Sequence, residues 1–276
     1  MRTRKLIVNA DDYNSDRERN RGIREAAEKG IVTSVSVIAN LPFEKESIEG
    51  LKSTFGPRVG IHLNLTKGKP LTYPATTLVD EKGHFFKKRI AWRRALLKQY
   101  NIKEVEAEFR AQIYHLQTLG ITPHHLDGNN HLHIFPGIAE VVVRIARDFN
   151  IRKIRLPWEK LQSASEFLQP RIFKKLFFGL LARKAYSRFK SSGLIFPENF
   201  FGIQFPRVSE IGSLKKFFRI LPAGTTELMC HPGYRNQSLP TDQGSYYEKE
   251  LSTLVHPEVI EEINRQKIAL ISYIDL

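Results

Sequence analysis

The strongest constraint on this chain is its alternation of short apolar runs with helix-periodic stretches, the apolar runs ending in polar clusters. Residues 5–10 hold Leu6, Ile7 and Val8 in a nearly continuous run, the pattern of a strand covered on both faces of a parallel sheet. Residues 17–29 carry Ile23, Ala26 and Ala27 at helical spacing, with Gly30 as a stop. A β-branched stretch over 31–39 predicts a second strand. The clearest strand is 59–65, where Val59, Ile61, Leu63 and Leu65 share one parity and Gly60, His62 and Asn64 the other. Helices are predicted over 102–119, with Ile102, Val105, Phe109, Ile113 and Leu116 on one face, and over 136–149, with Pro136 in the first turn. Short strands are predicted over 153–156, 227–230 and 268–274. Strands alternating with helices imply βα units, hence a parallel sheet or a barrel. No repeat and no linker-like break divides the 276 residues, so one domain is expected, with an insertion at about 157–220.

Polar residues concentrate where the predicted strands end, the place where α/β barrels and open sheets gather their functional groups. The first strand runs into Asp11, Asp12, Tyr13 and Asn14. The third carries His62 and Asn64. Residues 124–133 (HHLDGNNHLH) hold four of the nine histidines, and a late strand ends in Cys230, His231, Pro232 and Gly233. The Asp11–Asp12 pair could simply cap the following helix. On an extended strand end the two carboxylates diverge, so one can bind a metal while its neighbour handles protons. His62 replaces an apolar residue in mid-strand, which is costly unless it is partnered; a ligand role and a hydrogen-bonded core histidine weigh equally. If 124–133 is extended, His125, Asp127, Asn129, His131 and His133 share a face. Imidazoles mixed with carboxylates suit a first-row divalent metal, zinc most readily. His231 before Pro-Gly also reads as ordinary turn chemistry.

With these segments assembled, the chain resembles the YdjC-like carbohydrate deacetylases, which include chitooligosaccharide deacetylases and deacetylases associated with hopanoid biosynthesis. The resemblance rests on LIVNADDY at 6–13, GIVTS at 30–34, GIHLNL at 60–65, GKPL at 68–71, HLDGNNHLH at 125–133 with Pro136, and ELMCHPG at 227–233, with Ser272 and Tyr273 in a closing strand. It implies an α/β fold, a distorted (β/α) TIM-like barrel, and metal-dependent removal of N-acetyl groups from sugars. By position, Asp12 and His62 match two metal ligands. The family's third ligand is a histidine that is Asn129 in this chain; an asparagine oxygen binds a divalent ion more weakly, and His131 could take over. The ion is expected to be Zn²⁺ or Mg²⁺. Asp11 is the candidate general base and His231 the candidate proton donor to the leaving amine. Asn64, His125, Asp127 and His133 are expected as substrate contacts or as supports of the ligands.

Composition adds limits. A lone cysteine, Cys230, excludes a disulfide framework and a cysteine-rich zinc module. The start turns acidic after a few apolar residues and no apolar run approaches the ~18–20 residues of a membrane span, so a cytoplasmic protein is expected. The formal net charge is +14, and residues 152–220 hold 15 Lys/Arg against 4 Asp/Glu. Within 171–190 there are seven basic residues and no acid. Such a basic amphipathic stretch predicts a lid or a homodimer contact, or a peripheral contact with an anionic membrane, in which case the acetylated sugar is lipid-linked. Three further readings stand beside the deacetylase: a sugar-binding relative weakened by Asn129, a metal phosphoesterase and a basic nucleic-acid binder. No helix-turn-helix, zinc-finger or RNP signature supports the last, and no nucleic acid is expected as a partner.

Overall fold

The computed structural model describes residues 3–160, 172–204, 207–236 and 240–276. Its frame is a sheet of eight strands: β1 (Arg4–Tyr13), β2 (Ser34–Val37), β3 (Val59–Leu63), β4 (His125–Gly128), β5 (Lys153–Ile154), β6 (Asn199–Phe201), β7 (Gly224–Cys230) and β8 (Ala269–Leu270). All pairings are parallel, in the order β5-β4-β3-β2-β1-β7-β6. β8 pairs with the start of β1 at Lys5 and Leu6, on the edge that β2 takes further along from Asn9. The two ends of the sheet approach each other: Ile195 bridges Lys153 of β5, and β6 then pairs with β7 from Asn199. The curled sheet and its surrounding helices form the barrel-like α/β fold expected from the strand–helix alternation.

Nine helices surround the sheet among the described residues: α1 (Arg17–Glu28), α2 (Lys45–Phe55), α3 (Lys88–Leu96), α4 (Ile102–Thr118), α5 (Ile138–Asp148), α6 (Ile172–Ser191), α7 (Ile211–Arg219), α8 (Thr241–Leu254) and α9 (Pro257–Arg265). Their starts follow local chemistry. The Asp16 carboxylate accepts from the Arg19 N–H at 3.0 Å to open α1, and the Asn101 side chain accepts from the Lys103 N–H at 3.0 Å to open α4. Pro257 sits in the first turn of α9, where its missing N–H costs nothing. Helices cover the sheet, so strand residues of both parities are buried, as Val35–Val37 and Ile61–Leu63 are in β2 and β3.

Three segments differ from the sequence pattern. The strand predicted over 268–274 pairs only at 269–270, after which Ser272 and Asp275 cap a short 3-10 turn. The strand predicted over 153–156 is regular only at 153–154, although the Arg155 N–H still donates to Leu126 O at 2.9 Å. Residues 125–133 are not extended throughout. β4 ends at Gly128, and Asn130 (φ 54°) and His131 (φ 59°) turn the chain into a compact 3-10 segment over 129–134. The fold-back needs Gly128, because a Cβ there would lie 2.8 Å from His133 Nδ1.

Of the stretch expected as an insertion, 199–201 supplies a strand of the sheet and α7 packs on α9. α6 packs against α5 and the 129–134 turn, beside the C-terminal ends of the strands. Residues 161–171, with the first basic residue of the 171–190 run, and residues 205–206 lie outside the described residues.

Candidate active site

The site is built where β1, β3, β4 and β7 end. In a regular strand Asp11 and Asp12 would face opposite sides. Asp12 instead adopts φ 70°, a conformation that aspartate tolerates better than most residues, and the alternation breaks. Both carboxylates therefore reach His62: Asp12 Oδ1 lies 3.6 Å from His62 Nε2, and Asp11 belongs to a buried group with His62 and Asp127 whose ligand atoms lie within 4.8 Å of one another. That acid–histidine–acid group could hold a metal ion.

Each of its members has further partners. The Asp127 Oδ1 atom meets His62 Nδ1 at 2.8 Å, while its Oδ2 accepts from Ser36 Oγ at 2.6 Å and lies 3.1 Å from Arg155 Nη1. Asp11 accepts from Arg155 through both oxygens, at 2.7 Å each, and from Asn9 Nδ2 at 2.8 Å. Arg155 also reaches Glu227 at 2.8 Å, and the Tyr273 hydroxyl donates to the other Glu227 oxygen at 2.6 Å. Arg155 is fully buried and contacts three interior carboxylates, of which its single charge can offset only one. The inner face of Asp11 and Asp127 is thereby occupied by a cation of the chain itself. The more open side is the one between His62 Nε2 and Asp12 Oδ1, where the Asp12 side chain is 20% exposed and its Oδ1 accepts from Asn129.

That open side fits a divalent ion. Two donors each ~2.1 Å from one ion stand about 3.4 Å apart at the tetrahedral angle, close to the 3.6 Å found between Asp12 and His62. The bond from His62 Nδ1 to Asp127 orients the ring so that Nε2 faces outward, the usual support of a ligating histidine. Four carboxylates gather here: Asp11, Asp12, Asp127 and Glu227 meet the Arg155 guanidinium and the His62 imidazole, while His231, Arg19, Lys67 and Lys88 act on Asp12 from the rim. Burial opposes the His62 charge, but Asp127, Asp11 and Asp12 outweigh it and raise its pKa to about 9. Burial likewise pushes the Asp12 carboxyl up, yet His62, His231, Arg19 and Lys67 together hold it below its ordinary value. Burial also opposes the Asp127 charge, and Arg155 and His62 keep that carboxyl well below the usual range.

The remaining residues singled out by sequence are placed as follows. Asn129 reaches Asp12 with its N–H₂, Nδ2 donating to Asp12 Oδ1 at 2.9 Å, while its oxygen accepts from Thr66 and Asn130. His131 is buried, its ring edge-on to Phe178 at 4.9 Å and to Phe200 at 6.0 Å, and its Nδ1 has no hydrogen-bond partner. Among the described residues neither Asp12 nor His131 joins a compact group of three acids or histidines. Asn64, His125, Asp127 and His133 are fully buried and committed to interior contacts. Asn64 ties the 64–67 loop to Asn40, and Gln112 holds its backbone. His125 stacks on Tyr273 at 3.8 Å and meets Ser36 Oγ at 3.2 Å. The His133 Nε2 atom contacts Arg155 O at 3.1 Å. Burial lowers the His125 pKa to about 3 and the His133 pKa to about 4, so both rings are neutral.

His231 stands at the rim. Its backbone N–H donates to Glu250 at 2.5 Å and its carbonyl accepts from Arg19, leaving the half-buried ring to act on Asp12. The sequence pattern did not single out Arg155, Glu227, Ser36 or Arg19. The signal for the first two was present: each is a charged residue among the apolar positions of a short predicted strand.

A family model for YdjC-like proteins matches residues 5–265. The carbohydrate deacetylase of Clostridium beijerinckii is 30% identical over 280 residues, covering 99% of this chain and 100% of the relative. That of Halalkalibacterium halodurans is 31% identical over 274 residues, covering 94% and 98%, and that of Mus musculus is 32% identical over 244 residues, covering 83% and 78%. The structure of a candidate cellobiose-phosphate cleavage protein from Enterococcus faecalis superposes with a TM-score of 0.79 at 23% identity, covering 99% of this chain and 98% of the other, and so shares the fold. With the strand-end motifs in family order and a family match that spans nearly all of its length, this chain belongs to the YdjC-like family.

Proposed function

We propose that this chain is a metal-dependent carbohydrate N-deacetylase, hydrolysing the acetamido group of an N-acetylated sugar or oligosaccharide. The observation that carries the reading is the outward-facing pair of Asp12 Oδ1 and His62 Nε2, 3.6 Å apart and backed by the Asp11–Arg155 pair. Asp12 and His62 would hold the ion, Zn²⁺ or Mg²⁺; Asn129, which touches Asp12, and His131 are the residues read from the sequence as completing its protein ligands. When bound, such an ion lowers the pKa of a water molecule and polarises the acetyl carbonyl.

The chain's own residues supply the proton traffic. Asp11, fixed beside His62 by two guanidinium N–H bonds, accepts a proton from the attacking water. The water oxygen bonds to the acetyl carbon, the C–N bond breaks, and His231 at the rim delivers a proton to the departing amine. Asp127 and Ser36 hold His62 in the tautomer whose Nε2 faces the ion. His125 and His133, neutral and buried, support that layer and do not touch the sugar. Cys230, buried and free, accords with the cytoplasmic location this reading assumes.

One observation favours a second reading, a relative with weakened metal binding: Asn129 turns its N–H₂ towards Asp12, competing with an ion for that oxygen. Acetate release from short chitooligosaccharides, with Zn²⁺, Mg²⁺ or chelator, separates the two. For the deacetylase the expected result is metal-dependent release that Asp12→Ala abolishes and Asn129→His maintains or raises. Weak or no metal binding and no release by the native chain, with both appearing in Asn129→His, would establish the weakened relative. No metal bound by either form would overturn both.

A further inference from the structure

We propose that α3 and α6 together form a docking face for an anionic phospholipid surface. Neither helix contains an acidic residue: α3 carries Lys88, Arg89, Arg93 and Arg94, and α6 carries six Lys/Arg. Lys175 is buried against Glu159 and Arg188 pairs with Glu140, and the remaining bases make these neighbouring helices complementary to an anionic partner. Between them runs a groove of about 620 Å³ lined chiefly by Trp92, Arg93, Leu96, Leu97, Phe173 and Phe177.

The apolar residues here are turned outward. Phe173 is 80% exposed, Leu180 65% and Leu97 55%, with Ile90, Leu96 and Leu176 also exposed. The inward face of α6 is occupied instead by Phe178, Leu181, Ala182, Ala185 and Phe189, and by Lys175, which is buried 3.3 Å from Glu159. On α6, residues 173, 176 and 180 fall on one helical face. A contiguous apolar strip bordered by arginines and lysines has the composition of an interfacial surface, where apolar side chains enter the acyl boundary and bases meet lipid phosphates. No helix among the described residues is long and apolar enough to cross a membrane, so the contact is peripheral.

The face adjoins the candidate active site. The Trp92 Nε1–H donates to Asn130 O at 2.9 Å, and Phe178 packs between Trp92 and His131. Docking through this face therefore sets the mouth of the site beside the lipid surface. The inference stands on the two helices and holds whether or not the deacetylase reading does.

Co-sedimentation of the whole chain with phosphatidylcholine vesicles, with and without phosphatidylglycerol, tests it. The expected result is binding to the mixed vesicles that falls with salt, and little to phosphatidylcholine alone. The pair Arg89→Gln and Arg93→Gln should weaken binding about 25-fold, at roughly fivefold per charge. The pair Leu97→Ser and Phe173→Ser should weaken it at least about tenfold with net charge unchanged. Both pairs alter exposed side chains, and unchanged melting temperatures verify their folding. No binding to mixed vesicles would overturn the proposal. So would binding indifferent to Leu97→Ser and Phe173→Ser, which would mark diffuse attraction to a +14 chain. Self-association of the native chain that the serine pair abolishes, without vesicle binding, would assign the face to a second copy and overturn it equally.

Discussion

Arg155 is the residue on which the interior of the site turns. Burying one carboxylate unpaired costs several kcal/mol, and here Asp11, Asp127 and Glu227 depend on a single guanidinium. Burial also raises the Glu227 carboxyl, an effect that Arg155 and the Tyr273 hydroxyl only partly offset. Arg155→Met is therefore expected to destabilise the fold by about 3–5 kcal/mol, because it strands charge rather than volume. Arg155→Lys keeps the charge but loses the two-pronged contact with Asp11, so it should be less destabilising while still lowering kcat. Urea denaturation of the two variants, with kcat measured on the lysine form, checks both statements. A loss below about 1 kcal/mol in Arg155→Met would mean that the acids are not held charged by this arginine.

At the scale of elements, His231 reaches the site through helix packing. α1 lies so close to the 231–233 turn that a Cβ on Gly22 would fall 2.5 Å from Gly233 Cα. Gly22→Ala must push the turn away from α1, and His231 moves with it. The expected outcome is a kcat reduced about tenfold or more with KM nearly unchanged, the pattern of a displaced proton donor, together with a stability loss of about 1–3 kcal/mol from overpacking. Steady-state kinetics beside thermal melting reads both, and a variant with native kcat would remove His231 from the mechanism. This contact explains what the sequence could and could not disclose. Period-two and period-3.6 patterns report burial, so β3, α4 and α5 were legible to within a few residues. The turn at 129–134 was not, because it depends on left-handed Asn130 and His131 folding back over Gly128, a tertiary approach with no periodic trace. Asp12 and His62 were marked as polar residues at strand ends, and only the family resemblance paired them. A charge within a short predicted strand marked Arg155 and Glu227, but their roles and that of Tyr273 were not readable, because these exist only once β1, β5 and β7 are brought together.

For the whole molecule, the buried histidines define a pH window. Unfolded, each imidazole takes up its proton near pH 6.5; folded, His125 does so only near 3 and His133 only near 4. Between about pH 6.5 and 4 the unfolded chain binds more protons, so stability falls as pH falls, by about 1.4 kcal/mol per unit for each of the two rings. His131, whose pKa burial also drives well below its ordinary value, acts in the same direction. Asp12 and Asp127 add their losses only from about pH 4 downward, where an unfolded aspartate protonates. His62 works on the other side. With its pKa raised to about 9, its contribution is complete below pH 6.5 and is lost as pH rises towards 9. The metal-free protein should therefore be most stable near pH 6.5–7, with an acid flank set by His125, His131 and His133 and an alkaline flank set by His62. Urea midpoints in chelator from pH 4.5 to 9 would trace this dome. His133→Gln, whose amide N–H can still reach Arg155 O, should remove one proton from the acid slope and leave the alkaline flank unchanged. A midpoint that is flat between pH 6.5 and 5 would mean that these imidazoles are charged in the folded chain. Asp127, whose bond to Nδ1 orients His62, would then stand beside charged rings rather than neutral ones.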